Sequence, residues 1–133
     1  MLKDLIESGF GNVENFNCAE KILYGANKVY KLGLSKEALK LSAGFGGGMG
    51  IQSVCGALTA SVMVLSHKYV ENIAHEGNKI KLINQKLFRK FMEDMNSIQC
   101  SYLKRTYRRE DIGCYHVILK AAEILDSLME EEK

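Results

Sequence analysis

The chain has no proline and no tryptophan, and its four cysteines include no C-x-x-C pair. Without proline nothing forbids a helix from continuing, so glycine must do most of the breaking. Without a C-x-x-C pair, neither a zinc ribbon nor a thioredoxin-like motif is indicated. An excess of one charge sign is missing too. The formal net charge of +2 is too small to argue for nucleic acid or an acidic membrane surface. The longest uncharged stretch runs from Leu41 to His67. It opens with a glycine loop, and its helix-competent part, Val54 to Ser66, falls well short of the ~20 residues that span a bilayer. The first residues, Met1 to Glu7, mix charges into a short amphipathic stretch unlike a secretory signal. These absences predict no membrane insertion, no nucleic-acid partner and a cytoplasmic setting, where cysteines more often bind metal or do redox work than form structural disulfides.

What is present is ordinary for a globular protein: 133 residues, 47% hydrophobic and 26% charged. That length suits a single domain over 1–133 with a real core, residues 1–12 forming a short N-terminal helix or arm and 13–133 a four-cysteine bundle. Apolar residues recur at helical spacing and no stretch alternates with period two, so the expected fold is all-α. The pattern predicts an antiparallel bundle of about five helices. The first runs from Asn17 to Lys31 and buries Ile22, Ala26, Val29 and Tyr30. Gly33 ends it, and Ser35 caps a shorter second helix through Ser42. Gly44 to Gly50 then forms a glycine-rich loop that cannot remain helical. The third helix, Ser53 to Asn72, is apolar on nearly all sides and is expected at the centre of the bundle. Glu76 to Asn96 forms a fourth, with Ile80, Ile83, Leu87, Phe91 and Met95 on one face. A short basic segment to Arg109 follows Cys100, and a fifth helix from near Asp111 buries Val117, Ala121, Ile124, Leu125 and Leu128. Its acidic end, Glu130-Glu131-Glu132, opposes the helix dipole and is expected to fray.

Cys18, Cys55 and Cys114 each open a predicted helix, and Cys100 follows the end of the fourth. If short connections make successive helices antiparallel, all four cysteines fall at one end of the bundle, with the glycine loop beside them. Helix starts carry partial positive charge and free N–H groups that stabilise thiolates, so lowered thiol pKa values are expected there. Thiolates attack disulfides, bind metal ions and hold iron–sulfur clusters. The candidate catalytic or metal-ligating set is therefore Cys18, Cys55, Cys100 and Cys114. The plainer alternative is that each is a small buried hydrophobe.

Phe16-Asn17-Cys18-Ala19-Glu20, the run Ala43 to Gly50 and Val54-Cys55-Gly56-Ala57-Leu58-Thr59 resemble the C_GCAxxG_C_C family of putative redox-active proteins. Ser97 to Cys100, and Cys114 leading into Ala121 to Leu125, match it in order and spacing. The resemblance covers nearly the whole chain from Phe16 onward. It departs at Ala60, where the family's Cys-Gly-Ala-x-x-Gly has glycine. The resemblance implies redox activity through the four cysteines and names no substrate.

Gly46, Gly47, Gly48, Gly50 and Gly56 are candidate cofactor-contacting positions, where backbone N–H groups come close to sulfur or an anion. A phosphate loop would need a following Lys-Ser or Lys-Thr, and a dinucleotide fingerprint a preceding strand; neither is present. The alternative for the glycines is a tight helix connection. His116 lies two positions from Cys114, which on a helix points it elsewhere, and His67 and His75 sit toward the far end. Lys104 to Arg109 interleaves cations with aromatics, but Glu110 and Asp111 follow at once, so the segment reads as a solvated loop that steers anions. Three functions are consistent with these features. One is a thiol redox protein whose cysteines cycle between dithiol and disulfide with a partner protein or a small electron donor or acceptor. Another is an electron carrier with an iron–sulfur cluster or metal ion on the four thiolates. The last is a structural or partner-binding bundle with inert cysteines. The small residues Gly56, Ala57, Ala60 and Ser61, together with the exposed glycine loop, also suit a homodimer contact.

Overall fold

The helical spacing of apolar residues is realised in a computed structural model that describes residues 1–131. Seven α-helices form: α1 (Leu2–Glu7), α2 (Cys18–Val29), α3 (Lys36–Leu39), α4 (Gly56–Tyr69), α5 (Lys79–Met95), α6 (Cys100–Tyr107) and α7 (Tyr115–Glu131). Among the described residues there is no strand, only two isolated antiparallel bridges, Val54 to Gln99 and Arg109 to Gly113. Among the described residues no helix is long and apolar enough to cross a membrane.

α4 lies at the centre of the bundle and packs against α2, α5 and α7. Its small residues Gly56, Ala57, Ala60 and Ser61 are buried together with Leu58, Val64 and Leu65. Ala60 is fully buried, so the helix packs closely at the position where the sequence departs from the family pattern. α5 and α7 each bury one apolar stripe, Ile83, Leu87, Phe91 and Met95 on the first, and Val117, Ala121, Ile124, Leu125 and Leu128 on the second. Of the residues expected inside α2, Ile22 and Ala26 are buried; Val29 and Tyr30 are half-buried. α1 docks on α2 and α7. The amides of Leu2 and Lys3 donate to the Asp126 carboxylate on α7 at 2.9 and 3.0 Å, which answers two of the N–H groups that a helix start leaves unpaired.

Several boundaries differ from those expected. The basic segment after Cys100 is helical, because Cys100, Leu103 and Tyr107 recur at helical spacing and the first two are buried. Cys100 thus opens its own helix instead of trailing α5, which ends at a left-handed Asn96. α4 starts at Gly56 instead of Ser53, since residues 53–55 are extended: the Cys55 amide donates to the Ile98 carbonyl at 2.9 Å and the Cys100 amide to the Ser53 carbonyl at 2.6 Å. α7 starts at Tyr115 instead of Asp111, because Arg109 and Gly113 exchange both backbone hydrogen bonds. The second helix tightens after Leu39 into a 3-10 turn, Lys40–Phe45. Glu130 and Glu131 stay helical rather than fraying, and the Glu131 carboxylate pairs with Lys86 and Lys90; Glu132 lies outside the described residues.

Candidate functional site

Cys18 is the first residue of α2 and is set there by a capping box. The Asn17 side chain accepts from the Glu20 amide, and the Glu20 carboxylate accepts from the Asn17 amide, both at 2.9 Å. The side-chain Nδ2 of Asn17 also donates to the Ala43 carbonyl at 2.9 Å, which ties the start of α2 to the glycine segment. Cys55 is the N-cap of α4 and Cys100 the first residue of α6, joined through the bridge Val54 to Gln99. Cys114 precedes α7 directly after the Arg109–Gly113 turn. All four are free thiols; Cys55 and Cys100 are buried, Cys18 and Cys114 half-buried.

The four sulfurs form one electrostatic group. The charge of a Cys18 thiolate raises the pKa of Cys55, Cys100 and Cys114, and that of Cys100 raises those of Cys55 and Cys114. Cys18 is the member whose charge is felt at each of the others. The expected lowering of thiol pKa at helix starts is not what the geometry produces. Burial pushes Cys55 up to about 12, the Cys18 charge adds to this, and the Ala57 and Leu58 N–H groups offset only part of it without a formal cap hydrogen bond. Burial also raises Cys100 and Cys114, against the opposing pull of Lys104 on both and of Arg108 on Cys114. Desolvation of a thiolate outweighs the partial charge of a helix end when the sulfur is cut off from water.

The glycines of this end mostly serve packing. A side chain on Gly46 would overlap Asn17. Gly48 has φ +60°, and a Cβ there would come within 2.5 Å of the Ser53 nitrogen and 2.8 Å of the Cys100 Cβ. A Cβ on Gly56 would meet the Phe45 carbonyl oxygen at 2.6 Å and the Cys18 sulfur at 2.7 Å. Gly47 and Gly50 face open space. Gly56→Ala therefore sets a helix-propensity gain of at most ~1 kcal/mol against overpacking that typically costs about 1–3 kcal/mol. Because one of the crowded atoms is backbone, the clash wins. Urea unfolding should show the variant less stable by roughly 1–2 kcal/mol, and a stabilised variant would contradict this packing.

His67, His75 and His116 are exposed, and His116 lies edge-on to Tyr115 with ring centroids 5.5 Å apart. Among the described residues no group of three or more His, Cys, Asp or Glu side chains is arranged to hold a metal ion. Cys18 thus lies within electrostatic reach of the other three thiols, but the four do not form an assembled ligand cage. Sequence reasoning missed the role of α6, which brings Lys104 into electrostatic reach of Cys100 and Cys114; the spacing Cys100, Leu103, Tyr107 carried that information beneath the run of cations.

No curated protein and no solved structure gives a significant match to the chain. A family model described as putative redox-active protein (C_GCAxxG_C_C) matches residues 16–128, from the capping box before Cys18 to the last buried leucine of α7, and the chain belongs to that family.

Proposed function

We propose that the protein is a thiol redox protein whose cysteines pass between dithiol and disulfide, with Cys18 as the thiol that closes the disulfide. The observation that carries this reading is the central position of Cys18. It is half-buried, its charge acts on each of the other three sulfurs, and it rests against Gly56, the residue after Cys55. Half-buried Cys18 and Cys114 are accessible to a reactant, whereas the buried pair Cys55 and Cys100 is held largely as thiols. A cluster or metal ion on all four sulfurs is the competing reading, and it requires the thiols to draw together from the arrangement described above.

The test is purification without oxygen, followed by iron, zinc and sulfide analysis, an absorption spectrum, and a thiol count in denaturant after mild oxidation and after reduction. The expected result is a colourless protein with four thiols when reduced, losing two on oxidation and regaining them with reductant. Stoichiometric iron and sulfide with visible charge-transfer bands would replace the disulfide cycle by a cluster. A thiol count that never changes would leave the cysteines as packing residues.

A further inference from the structure

The cations of α6 and the turn after it stand beside two of the sulfurs for a backbone reason. Cys100 and Lys104 are four residues apart on α6, which places them on one helix face with Cβ atoms ~5–6 Å apart. The Arg109 amide donates to the Gly113 carbonyl at 3.0 Å and the Gly113 amide to the Arg109 carbonyl at 2.6 Å. In an antiparallel pair the next residues out, Arg108 and Cys114, then face each other across the turn with Cα atoms ~4.5 Å apart. Arg108 is exposed and Lys104 half-buried. Among the described residues neither makes an ion pair. The nearby acids do not cancel them. Asp111 pairs with Arg109 at 3.6 Å, and among the described residues neither Glu110, exposed on the turn, nor Glu7, which lines a cavity with Asp111 and Tyr115, pairs with Lys104 or Arg108.

We propose that this site takes a small anionic disulfide, held by Lys104 and Arg108 and attacked first by Cys114; the inference rests on the thiol redox reading above. The Cys114 thiolate attacks one sulfur of RS–SR, a Cys114–SR bond forms, the RS–SR bond breaks and one RS⁻ leaves. The Cys18 thiolate then attacks the Cys114 sulfur, a Cys18–Cys114 bond forms and the second RS⁻ leaves. Two electrons pass from the protein to the disulfide, which is reduced to two thiolates, and the two thiol protons go to solvent. A thiolate approaching an anionic disulfide meets repulsion, and the two cations beside Cys114, which attacks in the first step and is attacked in the second, oppose it.

The experiment measures oxidation of the reduced full-length protein by three probes: oxidised glutathione (anionic), bis(2-hydroxyethyl) disulfide (neutral) and cystamine (cationic). Each rate is normalised to that of a simple thiol with the same probe. The expected order is anionic over neutral over cationic, with the anionic rate falling as salt rises. Lys104→Glu/Arg108→Glu should lower the anionic-to-cationic rate ratio by roughly 10-fold or more. Lys36→Glu/Lys81→Glu, with the same change of net charge at the starts of α3 and α5, should leave the ratio unchanged. Equal normalised rates for all three probes, or equal effects of the two double variants, would overturn the anionic preference while leaving thiol exchange standing. No exchange with any probe would overturn the redox reading itself.

Discussion

Serine in place of Cys18 is expected to slow closure of an intramolecular disulfide by roughly 100-fold or more, because it removes the thiol whose charge reaches Cys114, and an intramolecular nucleophile acts at high effective concentration. The sulfurs left behind are poor substitutes. Cys114 already carries the mixed disulfide and is the sulfur to be attacked, while burial pushes Cys55 up to about 12 and also raises Cys100, so little of either is thiolate near neutral pH, and the thiolate is the attacking form. The fold should tolerate the change, since serine is nearly isosteric and the Asn17–Glu20 capping box that starts α2 is untouched. Rapid mixing with a disulfide, acid quenching and mass analysis read the outcome. The wild type passes quickly through its mixed disulfide, while Cys18→Ser accumulates it as a persistent adduct on Cys114. Cys55→Ala should close its disulfide at close to the wild-type rate. If Cys18→Ser closes a disulfide as fast as the wild type, Cys18 has no special position in the chemistry.

Much of this site was legible in the sequence because it depends on local rules. Asn17 and Glu20 form the capping box that places Cys18, and Ser35 caps its helix as expected. Counting helices up and down brought all four cysteines to one end, although Cys100 arrives as the start of α6 and not as the tail of α5. The other parts depend on long-range contacts. Asp126 caps α1 from 124 residues away, and no spacing in the chain announces that. The extended pairing of residues 53–55 with 98–100 moved the start of α4 to Gly56, and a pairing only one bridge long has no period-two pattern to betray it. Met49 and Gln52 adopt φ of 64° and 55°, conformations that side-chain type alone would not suggest. The sign of the thiol pKa shifts is hidden for a related reason. A helix start is visible in a sequence, but the burial of Cys55 and the charges of Cys18 and Cys100 that act on it come from the tertiary packing of distant segments.

That exclusion of water makes stability depend on alkaline pH. The Cys55 thiol titrates near 12 in the fold against an ordinary value of 9.0. A group whose pKa is raised by folding stabilises the native state fully below its unfolded pKa, and the contribution is lost as pH rises through the folded value. Here the window runs from about 9 to about 12. Three pH units correspond to at most about 4 kcal/mol, a large fraction of the 5–15 kcal/mol that typically holds a domain together. Urea unfolding under reducing conditions at pH 8, 9, 10 and 11 should show wild-type stability falling more steeply than that of Cys55→Ala. The variant loses about 1–2 kcal/mol at pH 8 from lost packing, and the wild type loses about 1.4 kcal/mol per pH unit above 9, so the two curves should meet at about pH 10 and have crossed by pH 11. Cys100 and Cys114 titrate in the same direction in both proteins, and the difference between the curves therefore belongs to Cys55. Parallel curves would mean that water reaches the Cys55 sulfur. A buried thiol of this kind would then be as available for exchange as Cys18, and the division into accessible and protected sulfurs would fall with it.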